Sequence, residues 1–328
     1  MKKNIKLFVE KLSYNKFLRP FVGFIVTNFG ILLGFIFLCI LMFILTPNFL
    51  KVNNILNILR QVTTNLNLAL GMTIVIIING IDLSVGSIVA LSGTLTGILL
   101  SSADMSLPLA IFIGILVGTA CGLFNGIVIV KTKIAPFIVT LGMLNIARGI
   151  AYVAAGGQPV RVMNENFDLI GSGYLGFIPY QIIYTAVFVI VISLILRKTI
   201  LGRHIYAVGG NSTAARFSGI KIVTVTIFAY TLSGFLSAFS GVVLASRMFS
   251  GQPTVGQGFE LDAIAACVLG GTSMRGGVGT IGGTVIGALI IGVLNNGLNL
   301  LNINSFWQLI VKGFVILLAV YIDLMKKR

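Results

Sequence analysis

Residues able to do chemistry are few in this chain. Asp82 stands in Gly80-Ile81-Asp82-Leu83-Ser84-Val85-Gly86-Ser87, between two strongly apolar runs. If those runs cross a bilayer, a carboxylate there costs on the order of 2.5–3.5 kcal/mol unless it finds a partner, a cavity or the interface. Two roles are open. Gly80 can stop one helix while Asp82 or Ser84 caps the next, whose first turn holds Gly86. Alternatively, Asp82 takes a direct part in a transport path or in its coupling. Glu260 and Asp262 form a second acidic site, opening a short apolar helix that Gly270-Gly271 closes. Acids suit the positive end of a helix dipole. No catalytic constellation accompanies them, so they predict no acid–base chemistry.

Other reactive types read as ordinary. Cys39, Cys121 and Cys267 lie in apolar runs with no CxxC spacing, and serve as small apolar residues. His204 is the single histidine, without a second one to share a metal, and reads as loop polarity. The turn Gly276-Gly277-Val278-Gly279 is not a phosphate loop, because no Gly-x-x-x-x-Gly-Lys-[Ser/Thr] occurs. If ATP drives this protein, another chain binds it.

A different kind of site runs from Thr199 to Ile220. Gly209-Gly210 reads as a break, and Asn211 or Ser212 as the cap of a short helix through Ala214, Ala215, Arg216 and Phe217, which Gly219 ends. Such a helix offers Ala214, Ala215 and Phe217 to a partner's groove.

The elements that carry these residues follow from composition. The 328 residues are 57% hydrophobic and only 9% charged, with mean hydropathy +1.05. A soluble domain carries about 25% charged residues, so a soluble enzyme, a disordered chain and a nucleic-acid-binding domain are excluded. Ten apolar runs predict spanning helices near 22–46, 62–79, 85–102, 108–130, 134–155, 181–196, 222–247, 261–275, 279–300 and 307–324. The first is longer than a signal-peptide core and lacks a cleavage site, so it reads as a retained anchor.

Charge sets the orientation. Of the 23 basic residues behind the net +15, seventeen fall on the side of the N-terminus and four (Lys51, Arg60, Arg161, Arg247) on the other. Arg148 and Lys312 fall inside spans, and Lys312 is expected to snorkel. The bias predicts both termini in the cytoplasm. It leaves a basic cytoplasmic segment 1–20, one membrane domain 21–328, a cytoplasmic loop 197–221 and an outer loop 156–180. Small residues recur every fourth position at Gly114, Gly118, Gly122 and Gly126, and again in the seventh and ninth spans. They read as close helix packing, or as faces lining a passage or a dimer seam.

These motifs carry a resemblance over nearly the whole chain. Thr46-Pro47-Asn48-Phe49, Gly71-Met72-Thr73, Gly80–Ser87, Ala207–Ile220, Glu260–Ser273 and Asn295-Asn296-Gly297-Leu298-Asn299-Leu300 resemble the permease subunits of bacterial ABC sugar importers, most of all the ribose permeases. The resemblance implies a multi-pass protein of the bacterial cytoplasmic (inner) membrane that is not itself an enzyme. It would translocate a monosaccharide, ribose first, with galactose, allose, xylose or a related solute as alternatives. It implies a permease dimer, ATP-binding subunits docked on the cytoplasmic loops, and an extracytoplasmic sugar-binding protein. ATP and Mg would sit on the partner ATPase, with no cofactor on this chain. Ala207–Ile220, including Gly209, Gly210 and Asn211, corresponds to the coupling-helix region. The stretch Arg275-Gly276-Gly277-Val278 departs from the pattern, and no function is inferred from its side chains. An ion-coupled secondary transporter fits less well, because it would place paired ionisable groups near the midplane.

Overall fold

The computed structural model describes residues 19–103 and 105–325. Residues 1–18 and the Lys326-Lys327-Arg328 tail lie outside the described residues, and with them most of the basic segment expected over 1–20.

Thirteen helices are described: α1 (Arg19–Leu45), α2 (Val52–Ile77), α3 (Val85–Ser101), α4 (Leu107–Thr132), α5 (Pro136–Ala154), α6 (Glu165–Ser172), α7 (Tyr180–Lys198), α8 (Ile200–Gly210), α9 (Ser212–Phe217), α10 (Ile222–Arg247), α11 (Phe259–Leu269), α12 (Ile281–Leu300) and α13 (Ser305–Met325). Four two-residue strands complete the fold. β1 (Val160–Arg161) pairs antiparallel with β4 (Ser250–Gly251), and β2 (Tyr174–Leu175) with β3 (Ile178–Pro179). Prolines in the first turn start α4 and α5, where the missing N–H would be unpaired anyway. Six helices among the described residues, α1, α4, α5, α7, α10 and α12, are long and apolar enough to cross a membrane.

α2 and α10 form the centre of the bundle. Every residue of α2 from Val62 to Ile77 is buried, the polar Thr63, Thr64, Asn65, Asn67 and Thr73 among them. α10 packs against α2, α3, α4 and α6. The glycine face of α4 meets it: Gly114, Gly118, Gly122 and Gly126 are all buried, and a Cβ on Gly122 would lie 2.3 Å from the Tyr230 carbonyl oxygen. Outer helices expose large apolar side chains, such as Phe112 on α4 and Ile190 on α7.

One expected span is corrected. The run 261–275 holds only the 11 residues of α11, about 16 Å at 1.5 Å per residue, against a hydrocarbon core of about 30 Å. Gly270 caps it, and Gly271 at φ +83° turns the chain away, a conformation that side chains with a Cβ resist. The residues before α11 are non-helical: after the strand Ser250–Gly251 they form turns, in which the Val255 N–H donates to the Gln252 carbonyl at 3.2 Å. They run beside α3, because a Cβ on Gly251 would lie 2.7 Å from the Gly93 carbonyl oxygen and one on Gly256 2.4 Å from that of Gly86. The chain thus runs beside α3 as a non-helical stretch before α11 begins.

Candidate functional site

Asp82 is fully buried and lies where α3 begins. Its Oδ1 accepts the Ser84 backbone N–H at 3.0 Å and the Ser84 hydroxyl at 2.5 Å. Its Oδ2 accepts the Ser233 hydroxyl of α10 at 2.7 Å, and Asn125 of α4 donates to Ser84 Oγ at 3.0 Å. One carboxylate therefore ties the start of α3 to α4 and α10. The expected cap takes another form. The Ser84 side chain makes no capping bond, and Asp82 binds the N–H of Ser84 itself rather than one inside the helix. Gly80 is needed for space, because a Cβ there would meet the Tyr230 hydroxyl at 2.3 Å. Asn125, Tyr230 and Ser233 have no local sequence signal, since each is far from Asp82 along the chain.

The second acidic site sits at the start of α11, against the same region. Glu260 and Asp262 are in its first turn, and a Cβ on Gly86 would lie 2.7 Å from Glu260 Oε2. The N-terminal ends of α3 and α11 thus meet. Asp262 is buried and pairs with Lys312 of α13 at 3.0 Å. Lys312 therefore binds Asp262 in the bundle, and the snorkelling expected of it is corrected. Arg148 of α5 donates through one guanidinium nitrogen to the carbonyls of Pro253 (2.6 Å) and Val255 (2.5 Å). Outside a helix these two carbonyls need other donors, and the guanidinium supplies them.

The loop between α7 and α10 forms two short helices. Contrary to the expected break, Gly209 and Gly210 are the last residues of α8. The chain breaks one residue later at Asn211, which is extended (φ −158°) and whose side chain accepts the Ala214 N–H at 2.9 Å to cap α9. Gly219 (φ +82°) follows α9. Ala214 and Arg216 are exposed, and Phe217 is 87% exposed. Ala215 is buried, so its expected place on the outward face is corrected: on so short a helix one side must rest on the bundle.

α8 rests on the ends of other elements. A Cβ on Gly209 would lie 1.7 Å from the Ile77 carbonyl oxygen, which accepts the Gly277 N–H at 2.8 Å. Tyr206 donates its hydroxyl to the Gly279 carbonyl at 2.8 Å, and burial pushes that phenol above its ordinary range, so it stays a donor at neutral pH. The 275–278 stretch acts here through its backbone: Gly276 and Gly277 both have positive φ. Gly270 and Gly271 close α11 beside α12. The sites at Asp82 and at α8 are joined along the chain by the short break after Ile77. Among the described residues no cluster of His, Cys, Asp and Glu could hold a metal ion.

Residues 54–320 match the family described as the permease component of the branched-chain amino acid transport system. The chain is 49% identical over 302 residues to the ribose import permease protein RbsC of Bacillus subtilis, covering 91% of this chain and 93% of that protein. It is 46% identical over 295 residues to RbsC of Haemophilus influenzae, covering 89% and 91%. It is 40% identical over 300 residues to the L-arabinose permease protein AraH of Azospirillum brasilense, covering 91% and 88%. No solved structure matches.

Proposed function

The chain belongs to this family of transport permeases, and we propose that it is the membrane subunit of an ATP-binding-cassette importer for ribose in the bacterial inner membrane. The observation that carries this reading is the 49% identity to a ribose import permease along 91% of the chain. L-Arabinose is the second reading, favoured by the 40% identity to AraH. Transport here is vectorial. The chain binds no ATP or Mg of its own, and an ATP-binding subunit docks on α8 and α9, with Phe217 as the anchor. A secreted sugar-binding protein delivers the sugar at the opposite end, near β1–β4 and the β2–β3 hairpin.

The permease works as a homodimer, with ten crossings per chain and both termini cytoplasmic. The non-helical segment 250–258 and α11 together make the eighth crossing. The charge bias supports this orientation. So does the grouping of ends: Ile77, Gly209 and Gly277 meet at one end, whereas Asn54 and Asn296 exchange side-chain hydrogen bonds at the other.

The test is reconstitution of the chain with its ATP-binding and sugar-binding partners in liposomes. Ribose should stimulate ATP hydrolysis and be taken up, ahead of L-arabinose, galactose, allose and xylose. No stimulation by any of these sugars would overturn the reading.

A further inference from the structure

The exposed faces of the outer helices are mostly apolar between their ends, and among the described residues a polar side chain interrupts the middle of α5. On α5, Asn145 is exposed near the middle of the helix, with Gly142 and Gly149 beside it, where a Cβ would meet nothing within 4 Å. Along the non-helical segment 250–258, Thr254 and Gln257 are also exposed. These residues share one region. α5 starts beside Ile81, where the Thr140 hydroxyl reaches the Ile81 carbonyl at 3.1 Å, and two turns further on Arg148 holds the carbonyls of Pro253 and Val255. The segment reaches the level of Gly86 at Gly256. Gly256 (φ +78°) and Gly258 (φ +80°) bracket Gln257.

This strip lies at membrane depth, alongside the first half of α3. Non-helical backbone is tolerated there only when protein buries it or when it lines a water-filled cavity, and polar side chains facing lipid would leave hydrogen-bonding groups unpaired, since among the described residues Asn145 meets only the Leu141 carbonyl of its own helix at 3.0 Å. We propose that Asn145, Thr254 and Gln257 line the sugar's passage, with the same strip of a second copy facing them, and that Arg148 is a positioning residue that holds the non-helical wall. Two amides and a hydroxyl offer neutral donors and acceptors, which match the hydroxyls of an uncharged monosaccharide. The inference rests on the importer reading and adds where the sugar crosses.

The test places single cysteines at positions 145, 254 and 257 in the complete transporter, reconstituted in liposomes. The probe is a charged, water-soluble methanethiosulfonate, and labelling is counted above that of the parent with its own three cysteines. Asn145→Cys, Thr254→Cys and Gln257→Cys should react about tenfold or more faster than Ile190→Cys, which faces lipid. Their modification should stop ribose uptake while ATP hydrolysis and co-purification of the ATP-binding subunit persist. Reaction as slow as at Ile190→Cys, or normal ribose uptake after full modification, would overturn the proposal. A parent that takes up none of the tested sugars would instead sink the importer reading, because the labelling contrast needs no sugar.

Discussion

Replacing Asp82 separates its geometry from its charge. Asp82→Ala removes the acceptor for three donors: the Ser84 N–H, the Ser84 hydroxyl and the Ser233 hydroxyl. The Ser233 hydroxyl can turn back to a carbonyl four residues earlier, as Ser237 already does at 2.8 Å. The Ser84 N–H and hydroxyl lose the acceptor they share, Asp82 Oδ1. Two orphaned donors at about 1–3 kcal/mol each, partly relieved by local shifts, give a loss of about 2–4 kcal/mol. Asp82→Asn keeps one acceptor oxygen for Ser84 and presents an amide to Ser233 Oγ, which can accept, so its loss should be about 1 kcal/mol or less. The assay is unfolding by SDS titration in mixed micelles, run beside ribose uptake at matched membrane levels. If Asp82→Ala unfolds and transports like the parent, this carboxylate does not position α3. If Asp82→Asn keeps stability but loses uptake, the charge itself serves transport.

The other predictions use the same physics. Lys312→Met leaves the buried Asp262 carboxylate unpaired and should cost about 2–4 kcal/mol, discounted for the partial exposure of Lys312. Lys312→Met with Asp262→Asn should recover most of it, and an unrescued double variant in the SDS titration would refute a simple ion pair. Gly209→Val should misplace α8 against Ile77 and abolish coupled uptake, read as ribose transport at normal membrane levels. Phe217→Glu should insert normally yet lose the ATP-binding subunit on co-purification, and normal uptake with that subunit bound would make α9 a mere linker. Impermeant thiol probes in intact cells should label cysteines at 156–180 and spare those at 197–221, with the reverse pattern contradicting the proposed orientation.

Hydropathy and glycine placement are local properties, and they carried much of this protein. The membrane class, most helices of the apolar runs, a cap at Asn211 or Ser212 before α9 and the kinship to sugar-importer permeases are legible in the residues themselves. Capping needs only an acceptor a few positions from the N–H it binds. What the sequence left open depends on contacts between distant elements. Asp82 gains Ser233 from 151 positions away, and Asp262 gains Lys312 from 50, pairings that no periodicity encodes. The run 261–275 looked like a span because hydropathy reports solvent preference and not depth. Only the packing of Gly256 against Gly86 reveals a non-helical stretch followed by a short helix. Likewise, the turn of α9 that buries Ala215 and exposes Phe217 comes from how the helix rests on the bundle. Tertiary structure decides these matters because a buried polar group is stabilised by whichever partner the fold brings to it, at whatever distance along the chain.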